Sequence, residues 1–174
     1  THLFENKQGI RIIAAKGAPE QIMEVSGLKK AEKGKITEKI KELALKGYRI
    51  LGVARAQFEG DSFPENQQDF EFTFIGLLAF YDPPKHNIEN VFKQFYNAGI
   101  SVKIITGDNA LTTSTIAKQC GFRDAENTLE GKDLINMSDE EVLNAADNCN
   151  IFTRMFPEAK LRIIDALKQK GHVV

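Results

Sequence analysis

The chain has 174 residues, 42% of them hydrophobic and 27% charged, with a formal net charge of −1. This is an ordinary globular composition with room for one large domain or two small ones. The near-neutral balance and the lack of a basic block argue against a nucleic-acid partner, and no apolar run approaches the ~18–20 residues that cross a bilayer.

The opening "THLFENKQG" lacks the charged-then-apolar order of a secretory signal. Cys120 and Cys149 stand apart with no C-x-x-C, which reads as reduced thiols in a cytosolic setting. His2, His86 and His172 are scattered, so no zinc or other metal site is expected.

In chain order, "GIRIIAAKG" (9–17) reads as a strand stopping at Gly17, and "APEQIMEVSG" (18–27) as a helix with proline in its first turn that closes on Gly27. "LKKAEKGK" (28–35) reads as a mobile polar loop. Ile36, Ile40, Leu43 and Ala44 then mark one face of a helix that Gly47 ends. "YRILGVARAQF" (48–58) is β-rich and "EGDSFPENQQD" (59–69) is a turn-rich loop. "FEFTFIGLLAFY" (70–81) reads as a strand entering a core.

Beyond it the pattern changes. "DPPKHNIENVFKQFYNAG" (82–99) sets Ile88, Val91, Phe92 and Phe95 on one helical face, and "ISVKIIT" (100–106) is a short strand apolar enough to be buried on both faces of a parallel sheet. A helix to about Cys120 follows, closed by Gly121. "DEEVLNAADN" (139–148) is a helix with Ser138 or Asp139 as N-cap. "CNIFTR" (149–154) is a strand, "PEAKLRIIDALKQKG" (157–171) a helix, and "HVV" (172–174) the start of one more strand. Alternating strands and helices predict an α/β architecture with a doubly wound parallel sheet. A last strand only begun suggests a piece of a longer protein. The internal boundary is expected at Asp82-Pro83-Pro84, where two prolines interrupt helix and sheet, either as a hinge or as a simple turn.

Four positions carry candidate chemistry. Thr106-Gly107-Asp108-Asn109 joins a strand to a helix, where backbone N–H groups and the helix dipole favour an anion, unless Asp108 or Asn109 merely caps the helix. Arg154 follows a strand, and Lys160 sits in the first turn of the next helix, against the dipole, as a phosphate contact or as a solvated lysine. Lys16 and Gly17 of "KGAPE" open a helix, offering a cationic stem beside a flexible turn. Arg49 opens a strand with the same ambiguity between phosphate contact and surface charge.

"KGAPE" (16–20), "GYRILGVA" (47–54), "DPPK" (82–85), "VKIITGDN" (102–109) and R-x-x-P-x-x-K (154–160) occur in one order. Together they make the chain resemble the cation-transporting P-type ATPases over essentially its whole length. The resemblance implies that residues 1–80 are the C-terminal half of a nucleotide-binding domain, a partial α+β unit. It implies that residues 81–174 are part of a phosphorylation domain of haloacid-dehalogenase-like fold. Lys16 would line the adenine pocket with Gly17 beside it, Arg49 would reach the phosphates and Arg154 would contact nucleotide. Asp82 and Pro83 would form the hinge. Thr106, Gly107 and Asp108 would hold and order the phosphoryl group, and Lys160 would neutralise it.

The family's Asp-Lys-Thr-Gly-Thr nucleophile and its Gly-Asp-Gly-x-Asn-Asp magnesium motif are absent from these residues. The stretch alone is therefore expected to be inactive. The intact parent would use ATP and Mg2+ and move a cation through a membrane domain outside these residues, with this segment on the cytoplasmic side and the rest of the pump chain as its partner. "KGAPE" with "DPPK" fits hard-cation pumps such as calcium pumps better than copper-type ones. Two other readings are a soluble haloacid-dehalogenase-like phosphatase, which would not need "KGAPE", and a non-catalytic nucleotide-binding module.

Overall fold

The computed structural model describes residues 1–59 and 62–174. Gly60 and Asp61, within the loop expected over 59–69, lie outside the described residues. The chain divides into two compact units, residues 1–44 with 48–81, and residues 45–47 with 82–174.

The first unit is an antiparallel sheet of β1 (His2–Glu5), β2 (Arg11–Gly17), β3 (Arg49–Phe58) and β4 (Thr73–Phe80), in that spatial order. Helices α1 (Pro19–Val25) and α2 (Lys30–Ala44) are inserted between β2 and β3. Alternate residues of β3 (Ile50, Gly52, Ala54 and Ala56) are buried, as expected of a sheet with one covered face. That face packs Ile13, Ala15, Ala54 and Ala56 against Ile22 of α1 and Phe72, and each large apolar side chain so buried contributes about 1.5–3 kcal/mol. Helix α1 can lie this close because β3 carries Gly52. A Cβ there would sit 2.9 Å from Ile22 Cβ and 3.1 Å from Pro19 Cα.

Two expectations fail in this unit. Residues 30–35 are helical, not a mobile loop. Lys, Ala and Glu are strong helix formers that outweigh the single Gly34, and the Lys29 N–H donates to the Glu32 carboxylate at 3.0 Å, satisfying a donor at the helix start. Strand β4 does not run into a core: Leu78 and Phe80 are 47% and 49% exposed. Among the described residues β4 pairs with β3 alone, so its apolar end has one neighbour rather than two.

The second unit holds three parallel strands, β5 (Ile104–Ile105), β6 (Thr128–Glu130) and β7 (Ile151–Thr153), in the order β5-β7-β6. Its helices are α3 (Ile88–Asn97), α4 (Ala110–Gln119), α5 (Gly131–Ile135), α6 (Asp139–Asn148) and α7 (Pro157–Gln169). Burial on both faces belongs to the central β7. Ile151 joins a cluster with Ala117, Phe122 and Ala125, and the next residue, Phe152, joins one with Leu134, Val142 and Ile163. Successive strand residues point to opposite faces, so helices cover both sides. Strand β5 is shorter than expected and only half-buried, having one strand partner among the described residues.

Ser138 caps α6 in a reciprocal capping box with Glu141. The expected closing strand at 172–174 is not formed. Among the described residues they pair with no strand, and His172 instead turns its Nε2 to Asp147 at 3.4 Å. Strand β1, strand β6 and helix α5 carry no expectation from the sequence, being three to five residues long and below the reach of a periodicity argument.

Candidate functional site

The first unit gathers Lys16, Gly17 and Arg49. In the β2–β3 register Lys16 lies opposite Val53 and Gly17 opposite Gly52. Directly opposed residues of an antiparallel pair point the same way, and so do residues two apart on one strand. Lys16 therefore shares a face with Val53, Leu51 and Arg49, the face opposite α1. Lys16 and Arg49 are exposed, while Leu51 and Val53 are half-buried between them. Arg49 is four residues from Val53, about 13 Å along the strand. The resulting surface has a cation at each end and apolar side chains in the middle. Leu51 and Val53 do not stand out in the sequence as site residues, although strict alternation along "RILGV" carries the signal. A cavity of about 310 Å3 lies at the same turn, lined by Lys16 and Gly17 together with Ala15, Ile22 and Phe72.

The second unit gathers the ends of its parallel strands, where open sheets bind ligands. Thr106-Gly107-Asp108 follows β5, and the Asp108 N–H donates to Thr106 Oγ1 at 3.1 Å, closing a tight turn. The hydroxyl accepts in that bond, so its own proton is left to donate elsewhere. Asn109 is the N-cap of α4, its Oδ1 accepting from the Thr112 N–H at 2.9 Å. Asn109, rather than Asp108, is thus the capping residue, and Asp108 is committed to the turn. Gly107 is exposed at its tip.

This loop is fastened to the segment after β7. The Arg154 N–H donates to the Asp108 carbonyl at 3.0 Å and the Met155 N–H to the Thr106 carbonyl at 2.9 Å. Arg154 takes the left-handed backbone conformation, with φ of 50°, at a cost of about 1–2 kcal/mol. Pro157 then opens α7, whose first turn holds the exposed Lys160. The fold thus ties Asp108 to Arg154 and Thr106 to Met155 by direct backbone bonds, on either side of Gly107, with Lys160 six residues beyond Arg154. Asp82 and Pro83 lie exposed between β4 and α3.

Lys103, just before β5, is not part of this loop. Its ammonium donates to the Cys149 carbonyl at 2.9 Å and to Asn150 Oδ1 at 3.1 Å, and burial pushes its pKa down. Gly131 also has no mark in the sequence. It is buried at the start of α5 and lies against the Arg154–Met155 backbone. Its signal, a lone glycine at the end of a three-residue strand, is too slight to read without the fold. Among the described residues no three His, Cys, Asp or Glu side chains converge as metal ligands, and no helix is long and apolar enough to cross a membrane.

Comparison with known proteins adds to this geometry. Residues 1–87 match the family model described as P-type ATPase, cytoplasmic domain N. The chain is 35% identical to calcium-transporting ATPase 1 of Saccharomyces cerevisiae, over 93% of the chain and 19% of that protein. It is 32% identical to the probable cation-transporting ATPase F of Mycobacterium tuberculosis, over 94% of the chain and 20% of that protein. It is 34% identical to the cation-transporting ATPase pma1 of Synechocystis, over 82% of the chain and 16% of that protein. The chain thus spans about a fifth or less of the length of these relatives.

Proposed function

Because the chain belongs to the cation-transporting P-type ATPases, we propose that it is the nucleotide-delivering and phosphoryl-holding part of an ATP-driven membrane cation pump. In this reading residues 1–80 form the back half of a nucleotide-binding domain. Residues 81–174 form part of a haloacid-dehalogenase-like phosphorylation domain on the cytoplasmic side, and Asp82-Pro83 is the hinge between them.

One observation carries the nucleotide assignment: the β2–β3 register that sets Lys16 and Arg49 at the two ends of one apolar-floored surface. A flat base beside the Lys16 stem and a phosphate at the Arg49 guanidinium suit that spacing, since a guanidinium binds phosphate oxygens in pairs. In the second unit Thr106 and Gly107 would hold the transferred phosphoryl group at the mouth of α4, with Asp108 ordering the turn. Lys160 would offset the charge on that group, and Arg154 would contact the nucleotide.

The nucleophile and metal belong to the parent's other residues. The chain contains no Asp-Lys-Thr-Gly-Thr string. Magnesium would offset phosphate charge in the parent. The stretch on its own therefore forms no phosphoenzyme, and incorporation of labelled phosphate from ATP and magnesium into the purified chain would overturn that statement. The names of the relatives favour a calcium or other hard cation as cargo.

The test of the nucleotide assignment is titration of the chain with ATP, followed by calorimetry. Lys16→Ala and Arg49→Ala should each weaken binding roughly five- to thirty-fold, about 1–2 kcal/mol for loss of one charge-assisted contact. Unchanged affinity in both would sink it.

A further inference from the structure

We propose that Gly131 is a positioning residue for the Thr106–Asp108 loop: its missing side chain sets the seat of the Arg154–Met155 turn, and that turn sets the loop. The inference rests on the reading of this loop as the phosphoryl-holding element and adds to it a residue that touches neither ligand nor loop.

Gly131 does not use glycine's conformational licence, for it is not among the glycines with positive φ. What it supplies is space. A Cβ built on it would lie 2.7 Å from the Arg154 carbonyl oxygen, 3.3 Å from Met155 Cα and 3.3 Å from Phe156 Cε1. Two of these three contacts are backbone, which cannot swing aside as a side-chain end can. The residues struck are the ones whose N–H groups hold the Asp108 and Thr106 carbonyls at 3.0 and 2.9 Å.

The chain of contact is short: Gly131 against the Arg154–Met155 backbone, then two hydrogen bonds, then the loop. Arg154 is already in the left-handed region, so it has little freedom to absorb a push by turning its φ. Strand pairing fixes both sides of the contact, since Glu130, just before Gly131, is in register with Thr153, just before Arg154. A methyl group at position 131 therefore moves the turn, and the turn carries the loop with it.

The experiment uses the 174-residue chain labelled with nitrogen-15 and titrated with inorganic phosphate. In the unaltered chain, phosphate should shift the Gly107 amide resonance, and the Arg154, Met155 and Gly131 amides should move with the same half-saturation. The Gly34 amide, in α2, should stay still. Gly131→Ala should displace the Thr106–Asp108 and Arg154–Met155 amides before any phosphate is added and weaken phosphate binding about tenfold, as sub-ångström misplacement of a preorganised site does. Gly34→Ala, where a Cβ meets open space, should change neither. Gly131→Ala combined with Phe156→Ala should remain perturbed, because the backbone contacts persist.

If the Gly131→Ala amides stay in place, if the double variant regains normal binding, or if phosphate moves Gly107 in the unaltered chain without moving Gly131, the proposal is overturned. The last outcome is read on the unaltered chain and holds even if the variant does not fold. If phosphate moves no amide at all, the phosphoryl reading of the loop fails. The shifts of the phosphate-free variant then still decide whether Gly131 seats the turn.

Discussion

Met155 donates its backbone N–H to the carbonyl of Thr106 across 2.9 Å, fastening the end of β7 to the end of β5 beyond their last paired residues. With the Arg154 bond to Asp108 it makes the candidate phosphate loop an extension of the sheet rather than a free connection. The loop's internal bond, from the Asp108 N–H to Thr106 Oγ1, should then matter to stability as well as to binding. Thr106→Val keeps the shape and removes the acceptor, and it should lower stability by about 1 kcal/mol. Thr106→Ser should restore most of it. Denaturant midpoints compare the three, and a Val variant as stable as the parent would show that the turn does not depend on the hydroxyl.

Gly52 should tolerate no side chain. Gly52→Ala sets a methyl group 2.9 Å from Ile22 Cβ, and overpacking of this kind costs about 1–3 kcal/mol. Gly76→Ala, on the neighbouring strand with nothing within 4 Å of its Cβ, is the matched control and should be near neutral. Equal melting temperatures for the two variants would contradict the close seating of α1.

How much of the fold and the site is legible in the sequence follows the length of each signal. The α7 pattern, with Pro157 in its first turn and buried residues at Ala159, Ile163, Ala166 and Leu167, is visible in the letters because thirteen residues repeat one period. Thr106 and Gly107 stand out as candidates because a strand, a glycine and a capping residue are contiguous. Residues 28–35 mislead because lysine-rich polarity resembles a loop, while helix propensity and the Glu32 contact to Lys29 decide otherwise. Gly131 is invisible for a different reason: its importance lies in what stands across from it, at Arg154 and Met155, and no local pattern encodes a contact so distant along the chain.

Thr153 offers a prediction in the stabilising direction. Its hydroxyl is fully buried with no hydrogen-bond partner among the described residues, and an unpaired hydroxyl in an apolar setting costs about 1–3 kcal/mol. Thr153→Val preserves the shape and removes the orphan, so its melting temperature should rise. A fall would mean that the hydroxyl has a partner in solution.

The end of the chain should loosen in acid. The Lys170 ammonium bonded to Asp147 holds that carboxyl below its usual range, partial desolvation opposes the shift, and His172 adds to it. A carboxyl whose folded pKa is depressed contributes stability above its unfolded pKa and loses it as pH falls through the folded value. The contact should therefore be intact at neutral pH and lost at pH values below the ordinary carboxylate range. Hydrogen-exchange protection at residues 170–172, taken relative to the intrinsic rate at each pH, should fall there, and Asp147→Asn should show the lower protection already at neutral pH, with a flatter acid response. An acid response in Asp147→Asn as steep as the parent's would assign the loosening to other groups.

The antiparallel register has a consequence for how this protein can vary in length. The side chains of β3 alternate strictly from Arg49 to Val53, so deleting one residue among 50–52 turns Arg49 onto the face covered by α1. Two residues deleted there restore its direction but draw it about 7 Å toward Lys16. Insertions between α1 and α2, around Gly27 and Leu28, change neither the pairing of Lys16 with Val53 nor the span to Arg49. Length polymorphism is thus open at that connection and closed along the strand from Arg49 to Val53.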